Sequence, residues 1–210
     1  MQMQSGAKFW DRIALWYSRT PVRDEESYQK KLQMTREYFK PDTEVFEFGC
    51  GTGSTAIFHA PYVKKISAID VSGKMIEIAQ ARAKAKNIDN VSFNVGSIED
   101  YAVVNESYDV VMAHSILHLL KDKDQAITKA RAMLKPGGVF VSSTLCMGDA
   151  FAMKAIAFAV ALVSYTGLLP SLNIFSAEQL VESIKKAGFT IEHRWRPGAK
   201  AALFLIARKI

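Results

Sequence analysis

The stretch EFGCGTGSTA at 47–56 sets one carboxylate, Glu47, before three glycines at alternate positions, Gly49, Gly51 and Gly53. A glycine turn that opens a helix lets backbone N–H groups approach a ligand closely. A second carboxylate, Asp70, closes the apolar run KKISAID 17 residues after Gly53. At that place it could accept both hydroxyls of a ribose. His114 and His118 stand four residues apart, one turn apart if the segment is helical. Either could take a proton from an oxygen or carbon nucleophile near neutral pH; the alternative is a structural role, capping or packing the turn. They lack the Glu of an H-E-x-x-H pattern and a clear third ligand, so no metal site is read there. Cys50, inside the glycine loop, is read as a small residue in a tight place rather than as a nucleophile.

Three nucleotide-type ligands compete for the loop. A phosphate loop of the form G-x-x-x-x-G-K-[ST] is absent. The dinucleotide fingerprint G-x-G-x-x-G is met by Gly49 and Gly51, but position 54 is Ser and the third glycine comes one residue early. Glu47 adds an electrostatic objection: a carboxylate roughly 6 Å from a pyrophosphate, at an effective dielectric near 20, costs about 3 kcal/mol before screening. A carboxylate suits a cation. S-adenosylmethionine carries a sulfonium and an ammonium and no phosphate. Asp70 supports an adenosine of either kind; the loop chooses between them.

These residues need strands and helices to place them. Apolar runs at Val45–Phe48, Ile66–Ile69, Val91–Val95, Tyr108–Ala113 and Val139–Ser143 read as short strands bounded by turn residues. Ser72–Lys86, with Ser72 as N-cap, and Asp122–Leu134, stopped by KPGG, read as helices between them. The alternation predicts an α/β fold, a mostly parallel sheet with helices on both faces. FTIEHRW at 189–195 and AALFLIAR at 201–208 read as a hairpin that adds an antiparallel strand. Residues 8–39 read as two amphipathic helices separated by Pro21, lying over the ligand end of the sheet or its flank.

Taken in order, Glu47–Gly53, Asp70-Val-Ser72 followed by KMIEIAQARA, YDVVMAHSILHLL and LKPGGVF resemble the successive motifs of class I S-adenosylmethionine-dependent methyltransferases. The nearest likeness is the group that includes the ubiquinone/menaquinone-biosynthesis type. It runs from about residue 9 to 208 and takes in FSAEQLVESIKKAGF at 175–189. The resemblance implies a Rossmann-like, doubly wound sheet of seven strands in a single domain over 1–210. It implies S-adenosyl-L-methionine as cofactor, with Glu47, Gly49, Cys50, Gly51 and Gly53 around its methionine portion and Asp70 on the ribose. Val71 and Met75 would flank the adenine. Ser97 stands where many members carry an Asp, a departure that would either shorten the adenine contact or shift it to the Ile98 backbone and Glu99. His114 would approach the cofactor by its backbone, and Tyr17 would reach over the methionine end.

Composition agrees with a globular protein: 49% hydrophobic and 23% charged. Two cysteines form no disulfide framework, and the first residues lack an uninterrupted apolar core, so a cytoplasmic setting is the default. The whole excess of +6 lies in the last 26 residues. Such a patch is read as a solvated face, or as an attraction for anionic substrates or lipid headgroups. Residues 150–172 read as an apolar helical insertion, with an unbroken run of nine apolar residues at Ala155–Val163, too short to span a membrane. It follows the fifth strand, where the resembled family builds its acceptor pocket. It would be covered by the N-terminal helices or a second subunit, wall a pocket for a small hydrophobic or lipid-like acceptor, or touch a membrane surface peripherally. Monomer and homodimer both fit. No nucleic acid is expected as partner, because neither an N/D-P-P-Y/F tetrapeptide nor a recognition module is present. The rival readings are an NAD(P)-dependent oxidoreductase and a non-catalytic partner protein that binds an adenosyl ligand.

Overall fold

The computed structural model describes residues 2–149, 172–198 and 201–210. The apolar stretch beginning at Ala150 therefore lies outside the described residues up to 171. Strands β1 (Glu44–Phe48), β2 (Lys65–Asp70), β3 (Val91–Val95), β4 (Tyr108–His114), β5 (Leu134–Thr144), β6 (Phe189–Trp195) and β7 (Leu203–Lys209) form one sheet in the order β3-β2-β1-β4-β5-β7-β6. The first five run parallel, and β7 is antiparallel to both its neighbours. The hairpin thus inserts its second strand against β5 and leaves β6 at the edge.

Alternation along the strands feeds two cores. Val45, Val110, Met112, Val141 and Phe204 pack with helices α3 (Ser54–His59) and α4 (Gly73–Ala85) on one face. Phe46, Val111, Phe140 and Leu205 pack with α5 (Lys123–Met133) and α6 (Ala177–Lys186) on the other. Capping residues set the helix starts. Ser72 accepts from the Met75 N–H, Asp122 from Gln125, and Ser176 forms a reciprocal capping box with Gln179.

β5 begins earlier than the Val139 expected from the pattern. Leu134 already pairs with Tyr108; the register then jumps so that Val139 pairs with Val110. KPGG is the extra chain of this irregularity, and Gly137, at φ +74°, supplies the left-handed residue it needs.

Before the sheet, α1 (Gln2–Arg19) and α2 (Glu25–Arg36) flank the Pro21 turn. α1 is docked on α4: Asp11 Oδ1 accepts from Ser72 Oγ (2.6 Å) and from the Lys74 N–H (3.0 Å), at the positive end of that helix. No described helix is long and apolar enough to cross a membrane.

The C-terminal basic excess is largely paired. Lys186, Arg194, Arg196, Arg208 and Lys209 meet Glu182, Glu178, Asp149, Glu192 and Glu106.

Candidate functional site

The strand order reverses between β1 and β4, where an open parallel sheet leaves a crevice at its C-terminal ends. Glu47 and His114 stand at those ends, and the glycine loop crosses between them. Gly49, Gly51 and Gly53 all have positive φ, at 69°, 54° and 75°. Two of them serve different ends. A Cβ on Gly53 would sit 2.7 Å from the Phe93 ring and 2.9 Å from Ala79, so this glycine lets α3 and α4 pack. A Cβ on Gly51 would meet only Tyr17, at 3.9 Å; this glycine faces open space.

Asp70, at the end of β2, accepts from the Gly51 N–H through Oδ2 and from the Ser72 N–H through Oδ1, each at 2.9 Å. Each oxygen keeps further acceptor capacity. Burial raises its pKa against the pull of these hydrogen bonds. Glu47 is 1% exposed, and its Oε2 has no partner among the described residues. Burial, and then the charge of Asp70, push its carboxyl up to about 8, against one backbone hydrogen bond from Ala56. A buried carboxyl with an orphan oxygen is a site shaped for a cation.

Two chambers meet here. The first is lined by Trp10, Tyr17, Gly51, Asp70, Val71, Met75, Ser97 and Ile98. The second, open to solvent, is lined by Tyr17, Tyr28, Glu47, Cys50, Thr55 and His114. Tyr17, Gly49, Gly51, His114 and Ser115 line both. Glu47, Gly49, Cys50, Gly51, Asp70, Val71, Met75, Ser97, Ile98, Tyr17 and His114 are thus brought to one crevice, whereas Gly53 lines neither chamber. Ser97 also accepts from the Glu99 N–H, which shapes the turn after β3.

His114 and His118 do not share a helical turn. Ser115, at φ 55°, breaks the chain direction after β4, and His118 sits in a separate short turn at Leu117–Leu119. His118 lines neither chamber. Burial lowers both histidines to about 4, helped at His114 by Lys31, so both are neutral near pH 7. The Cys50 thiol is pushed well up by burial, then by Glu47 and Asp70, which makes it a poor nucleophile.

Four side chains escaped the sequence reading. Trp10 lines the first chamber and Tyr28 the second; Tyr28 Oη and Thr55 Oγ1 are 3.2 Å apart. Arg82 ties the loop to the cap, donating to Thr52 Oγ1 (2.8 Å) and to the Ser18 carbonyl. Lys31, on α2, donates to Ser143 Oγ at 3.0 Å. The helical pattern of 8–39 marked where Trp10, Tyr28 and Lys31 sit, but nothing local marked which turned inward.

The residues fit an adenosyl ligand with an ammonium: Asp70 has capacity for two hydroxyls, Glu47 Oε2 has no partner among the described residues, and Gly51 leaves room. Residues 39–188 match a family described as "Methyltransferase domain". An uncharacterized methyltransferase, YcgJ, of Bacillus subtilis is 28% identical over 102 residues, 49% of this chain and 40% of its own length. A malonyl-[acyl-carrier protein] O-methyltransferase of Paenibacillus sp. is 29% identical over 157 residues, 71% of this chain and 56% of its own. The chain therefore spans about half the length of these curated relatives. Among solved structures, a SAM-dependent methyltransferase of Thermotoga maritima superposes with a TM-score of 0.71 at 22% identity, over 97% of this chain and 99% of that one. At that identity the likeness speaks for the fold.

Proposed function

Because the chain belongs to the methyltransferase-domain family, of class I fold, we propose that it transfers a methyl group from S-adenosylmethionine to a small, largely apolar acceptor. The observation that carries this reading is Glu47, a buried carboxyl whose free oxygen borders the glycine loop. An ammonium favours its ionised form and pairs with it; a pyrophosphate finds no counter-charge there. The bound cofactor would supply a methyl group on a positively charged sulfur, already electrophilic.

The chain's own residues would hold and orient. Asp70 takes the ribose hydroxyls, Glu47 the ammonium, and Val71, Met75, Ser97 and Ile98 surround the base. Tyr17 and His114, common to both chambers, mark the junction where donor and acceptor meet. Positioning of this kind can contribute about 7–11 kcal/mol to the barrier. In this reading 1–210 is one domain, 8–39 caps the cofactor, and 150–172 belongs to the acceptor side. The Paenibacillus relative's name supports a small acyl acceptor, free or on a carrier protein.

Calorimetric titration with S-adenosylhomocysteine and, separately, NADH tests the proposal. Micromolar binding of the first, lost in Asp70→Ala, with NADH silent, is the expected result. NADH binding alone would overturn it.

A further inference from the structure

The polar row at the strand ends does not stop at the cofactor crevice. His114 and Ser143 are register partners on β4 and β5. Alternation puts them on the same face as Glu47, the face that carries Val110, Met112 and Val141. Over this face lies α2, whose Lys31 reaches across 112 residues of sequence to Ser143 Oγ. Ser143 is 5% exposed. Among the described residues no carboxylate lies within ion-pair distance of Lys31. The nearest negative influence is Asp24, and it is outweighed by burial, which lowers the ammonium pKa. His114 Nε2 beside it is enclosed and has no described partner. A half-buried cation and a hydroxyl thus gather behind His114, whose imidazole, with one unpartnered nitrogen, lines the second chamber. Lys31 is held by a hydroxyl and has no counterion among the described residues, which leaves it able to take an anion.

We propose that Lys31, with Ser143 and His114, binds a carboxylate on the methyl acceptor. The inference rests on the methyl-transfer reading and names the acceptor class it leaves open. One carboxylate oxygen would take the Lys31 ammonium. The other would form the new C–O bond to the transferred methyl carbon. The methyl–sulfur bond breaks with its electron pair left on sulfur. An anion and a sulfonium become a neutral ester and a neutral thioether, and no proton moves. This agrees with the chemistry at hand: His114 is too weak a base at neutral pH to ionise an alcohol, and a carboxylate arrives ionised. Tyr17, Tyr28, Pro21 and Val22 offer the rest of the acceptor an apolar wall. Methylation also removes the charge that Lys31 holds, which favours release of the product.

The test titrates octanoate, and its neutral counterpart octanamide, into protein saturated with S-adenosylhomocysteine. Wild-type protein is expected to bind octanoate at least about tenfold more tightly than octanamide, as a charge-assisted contact requires. Lys31→Met should abolish that preference while leaving S-adenosylhomocysteine affinity unchanged, and Lys31→Arg should keep it. Equal octanoate binding by wild type and Lys31→Met, no preference over octanamide, or no binding of either to the loaded protein would overturn the proposal alone. Failure of the wild type to bind S-adenosylhomocysteine would instead overturn the methyl-transfer reading beneath it.

Discussion

Glu47 ties ligand binding to stability with opposite signs. Its folded pKa, about 8, lies above the ordinary 4.5, so the unliganded protein holds it protonated at neutral pH. Stability linked to this group is fully present below pH 4.5 and is lost as pH rises through about 8. By pH 7 the loss is on the order of 3 kcal/mol. Glu47→Gln should therefore raise the melting temperature of the free protein at pH 8 by several degrees, read by differential scanning fluorimetry. The same variant should bind S-adenosylhomocysteine at least about tenfold more weakly, because it loses a charge-assisted bond to the ammonium. A lower melting temperature would contradict the buried-acid account. Binding should also release a proton at pH 7, visible as a dependence of the calorimetric heat on the ionisation enthalpy of the buffer.

At the scale of elements, the glycine loop separates packing from binding. Gly53→Ala combines a left-handed backbone, about 1–2 kcal/mol, with a collision against Phe93 and Ala79, and should destabilise by about 3 kcal/mol in denaturant unfolding. Gly51→Ala bears only the backbone term, yet it places a methyl group in the cradle and should lose most cofactor binding. α1 is held over that cradle by its packing on α4 and by polar ties near both ends. Asp11→Ala removes its bonds to Ser72 Oγ and the Lys74 N–H, a loss of about 1 kcal/mol. Trypsin should then cut faster at Arg19 and Arg23, beside the Pro21 turn, and S-adenosylhomocysteine should slow it again. An unchanged cleavage rate would mean that Arg82 and Ser18 hold the cap without Asp11.

For the whole molecule, three histidines set the acid limit. His59, enclosed between Phe39 and Phe58, is lowered to about 3, chiefly by burial, and His114 and His118 to about 4. Their folded values lie below the ordinary 6.5, so the stability linked to them is intact above that pH and is lost as pH falls through 4 and 3. His59→Phe, if the pocket accepts the ring, should move the acid unfolding midpoint downward by circular dichroism.

What was legible in the sequence follows from range. The strands, the capped helices and the glycine loop depend on residues within a turn or two of one another, so EFGCGTG and KKISAID announced them. Contacts that join distant segments left no local mark: Asp11 on Ser72, Arg82 on Ser18, Lys31 on Ser143. Charge misleads for the same reason. The basic C-terminal run looks like a patch when counted along the chain, but its partners Glu106, Asp149 and Glu178 come from other elements. The His114–His118 spacing suggested a shared turn, and one left-handed residue, Ser115, undid it.

The placement of β7 also bears on how the chain reaches this state. β5 precedes β7 by almost sixty residues, and until β7 docks, the β5 edge from Val139 to Thr144 has its backbone groups unpaired on that side. Phe140 and Val141, wholly buried in the finished sheet, flank that edge. An intermediate with β1 to β5 assembled is a template for another copy's strand. Refolding yield should accordingly fall as protein concentration rises, and a synthetic peptide of residues 203–209, by filling the slot early, should compete with the chain's own hairpin.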